Sequence, residues 1–199
     1  MKTYILIAAS VMLILFLLQS FTVMSTNRTE VQKYTVIKKE GNLEIRFYPS
    51  ATVATITSAA KTYRELANPG FRKLAGYIFG GNEKGERIAM TAPVHMDIND
   101  SVSSMSFVMP ASYNQNTLPK PNDAGVVISS TSDEYAAVIR FGGYASDDDL
   151  KYYTEKLMAI LAEKGISTYG NYRFLGYNPP FQFIGRKNEI IVSIDWNNQ

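Results

Sequence analysis

Alternation of polar and apolar positions is clearest from Arg87 to Met96. Ile88, Met90, Ala92, Val94 and Met96 fall on one face, and Arg87, Ala89, Thr91 and His95 on the other, which predicts a strand. Just upstream, Phe71, Leu74, Ala75 and Ile78 stand at i, i+3, i+4 and i+7, the apolar stripe of a helix over 70–80. Asn68 suits its N-cap, Pro69 its first turn, and Gly80-Gly81 the left-handed residue that ends it. A further turn of helix at 63–67 is compatible with the pattern. A second helix is marked by Ser146 as cap, by Asp147, Asp148 and Asp149 at its positive end, and by Lys164-Gly165 at its close. Leu150, Tyr153, Leu157, Ile160 and Leu161 form its buried stripe.

Around these helices the pattern is that of short strands. Tyr34 to Lys39 and Leu43 to Tyr48 alternate across Glu40-Gly41-Asn42, a hairpin signal. Further strands are predicted over 51–59, 105–109, 126–129, 135–141, 172–177 and 189–194, with one long irregular loop at 114–123. A strand, helix and strand over 51–94 echo a second set over 135–177, at an offset of about 85 residues, so the domain reads as an internal duplication. Two such units with extra hairpin strands imply an α+β fold, an antiparallel sheet or barrel with both helices outside it.

The N-terminal pattern is different. Tyr4 to Leu18 is apolar apart from Ser10, and with the weaker continuation to Met24 it reaches about 21 residues, enough for a hydrocarbon core of roughly 30 Å. The expected organisation is a hydrophobic helix over 1–25 that anchors the chain in a membrane, a tether over 26–33 and a folded domain over 34–197. The alternative is an exported protein whose signal is cleaved near Val23-Met24-Ser25.

Composition narrows the chemistry. The chain has 199 residues, 46% hydrophobic and 19% charged, with a net charge of +2, which suits one globular domain and gives no basic stripe for nucleic acid. The absence of cysteine excludes disulfides, thiolate metal sites and cysteine nucleophiles. His95 is the single histidine, so a multi-histidine zinc site is excluded too. As residues alone, His95 reads either as a haem ligand or as a strand-end histidine without a special role. Tyr63, Tyr77, Tyr153 and Tyr177 are candidates to flank a flat aromatic ligand. No paired acid–base set or phosphate loop stands out, because the glycines at 80–85 follow a helix instead of preceding one.

The order LEIRFYPSATVATI, GFRKLAGYIFGGNEKGERIAMTAPV, FVMP, FGGYAS, GYNPP and RKNEI resembles the SOUL haem-binding protein family over nearly all of 34–196. That resemblance implies a distorted antiparallel barrel of eight strands, built from the duplicated unit and flanked by two helices. It also implies non-catalytic, non-covalent binding of haem or another tetrapyrrole in a shallow apolar site beside the first helix. The positions it brings to that site are Asn68, Phe71, Ala75 and Gly76, with Tyr177 from GYNPP. Some members carry a histidine in the E-I-R-x-Y stretch that is proposed to ligate iron; here that position is Phe47, so no ligand comes from it. Arg72, Lys73 or Arg46 are candidates to pair with propionates. A small-molecule hydrolase on the same scaffold is the alternative function, and it would need a carboxylate and tyrosines together in a cleft, with Glu44 and Glu189 as the candidates.

Overall fold

The structure, a computed structural model, describes residues 29–196, with Tyr4, Ile7, residues 10–13 and Gln19 upstream of them. Eleven strands and two helices follow one another over this span: β1 (Glu30–Val31), β2 (Thr35–Glu40), β3 (Leu43–Tyr48), β4 (Thr52–Ser58), α1 (Tyr63–Ile78), β5 (Thr91–Ala92), β6 (Val94–Asp97), β7 (Ser103–Val108), β8 (Val127–Ser130), β9 (Glu134–Phe141), α2 (Asp147–Glu163), β10 (Thr168–Gly176) and β11 (Asn188–Ile194). Nine strands form one sheet in the order β2-β3-β9-β11-β10-β6-β7-β4-β8, with every neighbouring pair antiparallel. β1 and β5 make a separate parallel pair.

The sheet order carries the duplication. Exchanging β3 with β8, β4 with β9, β6 with β10 and β7 with β11 turns the eight strands other than β2 into themselves, about an axis between β10 and β6. The helices obey the same exchange: α1 lies on β4 and β7, α2 on β9 and β11. Both cover one face of the sheet, where Leu66, Leu74, Ile78, Leu157 and Leu161 join Ile56, Met105, Ile139 and Ile190 in the main core.

The expected eight-stranded barrel is corrected to an open nine-stranded sheet. β3 bonds to β2 and β9, and β4 to β7 and β8, so no ladder joins the two ends. The linker between β3 and β4 is bonded to that between β8 and β9, where Ser50 N donates to Asp133 Oδ1 (2.6 Å) and Thr131 N to Ala51 O (2.9 Å). The bonds there are tied to two short loops, and loops cannot extend a strand ladder.

Two element boundaries also differ from the pattern. α1 begins at Tyr63 under a Thr62 cap that accepts from Glu65 N, and Pro69 lies inside it. The buried Leu66 holds the first turns to the core, which offsets the one helical bond that Pro69 lacks. The strand expected from Arg87 to Met96 is reduced to β5 and β6, broken at Pro93, which has no N–H to give a ladder. α2 follows its sequence signals closely: Ser146 and Asp149 form a capping box, and Lys164 is the C-cap.

The membrane anchor is a further correction. No helix among the described residues is long and apolar enough to cross a membrane, so single-pass anchoring and a membrane location are not retained. Gln19, inside the apolar run, is instead buried against the domain: its Nε2 donates to Phe181 O (3.0 Å) and its Oε1 accepts from Phe183 N (3.2 Å). Of the rest of that run only Tyr4, Ile7 and residues 10–13 are described, all of them exposed, and the cleavage site read at 23–25 lies outside the described residues.

Candidate functional site

α1 presents Asn68, Arg72 and Gly76 to solvent at i, i+4 and i+8, with Lys73 beside them. Phe71 is half-buried against Phe107, ring centroids 5.3 Å apart, and Ala75 is buried. A Cβ added at Gly76 would meet nothing within 4 Å, so the helix surface is open there. Asn68, Phe71, Ala75 and Gly76 thus share one stretch of helix, bounded at its end by the exposed Phe79.

The turn after α1 fixes that surface. Gly80 (φ 109°) takes the left-handed position, and Gly81 N bonds back to Gly76 O at 2.8 Å, the closing bond of a Schellman motif. Asn82, 3% exposed, then ties the turn together. Its Nδ2 donates to Tyr77 O (3.1 Å) and Glu86 O (2.7 Å), and its Oδ1 accepts from Lys84 N (3.2 Å) and Glu86 N (3.1 Å). The irregular loop packs alongside: Glu83 N bonds to Lys120 O, Asn122 N to Gly81 O, and Tyr77 Oη donates to Pro119 O at 3.0 Å. Burial pushes the Tyr77 phenol up to about 12, so it stays a donor.

Tyr177 is not with these residues. It lies on the opposite face of the sheet, packed on a second cluster of Tyr48, Ala136, Val138, Leu175 and Ile191. The other tyrosines do not converge on one ligand either. Tyr153 stacks on Phe141 (4.2 Å, 11°) and Tyr63 meets the edge of Phe174 (5.3 Å). His95 pairs across the ladder with Leu175, and its Nε2 is 2.7 Å from Gln32 Oε1. Desolvation, then the positive Arg173, lowers its pKa to about 3, so the imidazole is neutral. Phe47 packs against Tyr135, 5.1 Å between centroids.

The second face holds a buried ionic network that strand alternation alone conceals. Arg46 donates from Nη1 to Glu189 Oε2 and from Nη2 to Glu189 Oε1, both at 2.9 Å. Its Nε reaches Glu44 Oε2 (2.9 Å), Nη1 also reaches Tyr48 Oη (2.9 Å), and its guanidinium lies 4.2 Å over the Tyr34 ring. Glu189, fully buried, also accepts from Tyr177 Oη (2.6 Å) and pairs with Lys187 Nζ (2.9 Å). Burial acts to raise the Glu189 pKa, but the bonds and charge of Arg46, followed by Lys187, outweigh it and hold the carboxyl below its usual range. The segments LEIRFY, GYNPP and RKNEI therefore meet at one point. The carboxylate and tyrosines that a hydrolase needs are together here, yet Glu189 is saturated as a counter-ion and cannot take a proton at neutral pH. A signal was available in the sequence: charged residues at 44, 46 and 189 in strands whose neighbours are apolar.

A third feature is a cavity of about 440 Å3 between the segment that leads into α1 and the first half of α2, lined by Met96, Phe174 and Ile190 and by Lys61, Asp147 and Arg173.

Comparisons with known proteins bear on the family and the fold. The profile described as SOUL heme-binding protein matches residues 29–193. Heme-binding protein 2 of Mus musculus and that of Homo sapiens are each 30% identical over 158 residues, covering 75% of this chain and 77% of theirs. Heme-binding protein 1 of Mus musculus is 28% identical over 161 residues, covering 77% and 84%. Among solved structures, the C-terminal domain of EcmrR shares the fold at a TM-score of 0.61 and 10% identity, over 82% of this chain and 99% of that one. A hydrolase from Listeria innocua does so at 0.56 and 7%, over 80% and 94%. By the profile match across its whole folded region, this chain belongs to the SOUL heme-binding protein family.

Proposed function

We propose that this protein binds haem or a related tetrapyrrole non-covalently on the outer face of α1, and carries or buffers it without catalysis. Family membership over residues 29–193 is the observation that carries this reading. The helix surface suits a flat apolar ligand. Phe71, half-buried, gives apolar contact at the edge of that face, Gly76 leaves room for the ring beside the buried Ala75, and Arg72 and Lys73 stand at its side for carboxylates. Removing about 600 Å2 of apolar surface, protein and ligand together, at about 25 cal/mol per Å2 offers roughly 15 kcal/mol, which exceeds micromolar affinity (about 8 kcal/mol) by more than a small association cost. Iron ligation is not required on this account. Phe47 has no donor atom, and the Nε2 of His95 is engaged by Gln32 on the other face of the sheet.

Titration of the full chain with ferric haem and with metal-free protoporphyrin tests the reading. Both are expected to saturate with similar affinity. Gly76→Trp, whose Cβ would meet nothing within 4 Å, is expected to weaken both by about tenfold or more while leaving thermal stability intact. Absence of saturable binding of either ligand below about 100 μM, a concentration that corresponds to roughly 5.5 kcal/mol, would sink the proposal.

A further inference from the structure

On the second face, beside the Arg46–Glu189 pair, lies a cavity of about 130 Å3. Its charged wall is unbalanced: Lys39, Arg46, Arg140 and Lys187 stand around Glu44 and Glu189, four positive charges against two negative. The geometry points to this cavity as a binding site for a small oxyanion, a carboxylate or a phosphate group, held by Arg140 and Lys187.

The bonding within the wall shows which groups are free to act. Arg46 spends all five of its donors on Glu44, Glu189 and Tyr48, so it contributes field but no contact. Glu189 is saturated by Arg46, Tyr177 and Lys187. Glu44 is held by Arg46 and Lys39. Both carboxylates are therefore neutralised inside the wall, and the remaining positive charge faces the cavity. Arg140 makes no side-chain hydrogen bond or ion pair among the described residues, and its planar donor fork matches a carboxylate or phosphate edge. Lys187 makes one ion pair, to Glu189, and lies 3.8 Å over the Tyr177 ring, which leaves ammonium protons for an incoming anion.

Lys187 also reports the imbalance. Desolvation lowers its pKa, Glu189 opposes that shift, and the neighbouring charges of Arg46 and Arg140 deepen it. An anion seated between Lys187 and Arg140 removes that repulsion. The volume admits a single small group and excludes a tetrapyrrole, so this site is separate from the α1 surface and does not depend on it.

Calorimetric titration of the full chain at low ionic strength, with inorganic phosphate and with succinate in separate runs, tests the inference. Saturable binding of at least one with a Kd of about 1 mM or tighter is expected, weakened about tenfold by Arg140→Gln. Arg140 is exposed and its side chain bonds to nothing among the described residues, so this variant is expected to keep the fold, which its melting temperature checks. Lys187→Gln provides the second variant, and its binding loss is expected to match. Binding of phosphate alone assigns the site to phosphate esters, and binding of succinate alone assigns it to carboxylates; either supports the oxyanion site. No saturation by either anion up to about 20 mM, a Kd weaker than roughly 2.5 kcal/mol, overturns it. So does an affinity that both variants leave unchanged.

Discussion

Arg46 and Glu189 form a buried ion pair that is costly to break from one side. Arg46→Met leaves a fully buried carboxylate with only Lys187 and Tyr177, and is expected to lower the unfolding free energy by about 3–5 kcal/mol, read from urea denaturation. The double change Arg46→Met with Glu189→Leu is expected to recover much of that loss, since it removes the stranded charge. The pH dependence separates two contributions. Glu44 and Glu189 are held below their usual range, so their stabilisation is complete above about pH 4.5 and is lost as pH falls through their lower folded values. His95 acts earlier. In the unfolded chain it takes up a proton near pH 6.5, whereas in the fold it stays neutral until about pH 3. Stability therefore falls as pH drops between those values, by up to about 1.4 kcal/mol per pH unit. His95 is the chain's single histidine, so a decline between pH 6.5 and 4.5 that His95→Gln abolishes belongs to it; an unchanged slope in that variant refutes the assignment.

Elements show why two glycines of one motif behave oppositely. Gly76 faces open solvent within α1, and Gly76→Ala is expected to raise stability by up to about 1 kcal/mol through helix propensity. Gly81 lies against the helix end: a Cβ there falls 2.5 Å from Gly76 O and 2.9 Å from Gly76 C, both backbone atoms. Gly81→Ala is expected to cost about 1–3 kcal/mol, and thermal melts of the two variants should move in opposite directions. α2 was legible in full because its capping box, acidic first turn and terminal glycine are local signals. The start of α1 was legible only in part, as a separate helical turn at 63–67. Pro69 reads as a helix opening, and only the burial of Leu66 by distant strands carries the helix back to Tyr63. The network on the second face was hidden for a related reason. Glu44, Arg46 and Tyr48 alternate with Leu43 and Ile45 as a solvent face would, until Glu189, 143 positions further on, is set beside Arg46.

At the scale of the molecule, the duplication was readable as an order of strands and helices, while closure was not, since it depends on whether distant edges curve enough to pair. Asn68, Phe71, Ala75 and Gly76 lie together because one helix carries all four, whereas Tyr177 lies on the far face of the sheet. The exchange of first strands between the halves has a consequence for how the chain can be divided. β3 precedes β4 in sequence but completes the ladder of β9, and β8 precedes β9 but completes that of β4. Neither half owns a whole sheet. Cleavage of the chain in the loop between β7 and β8 would give two fragments, each with a vacant slot shaped for a strand of the other. Expressed separately they should stay unfolded, and mixed they should reassemble, which makes the protein a natural candidate for a split reporter.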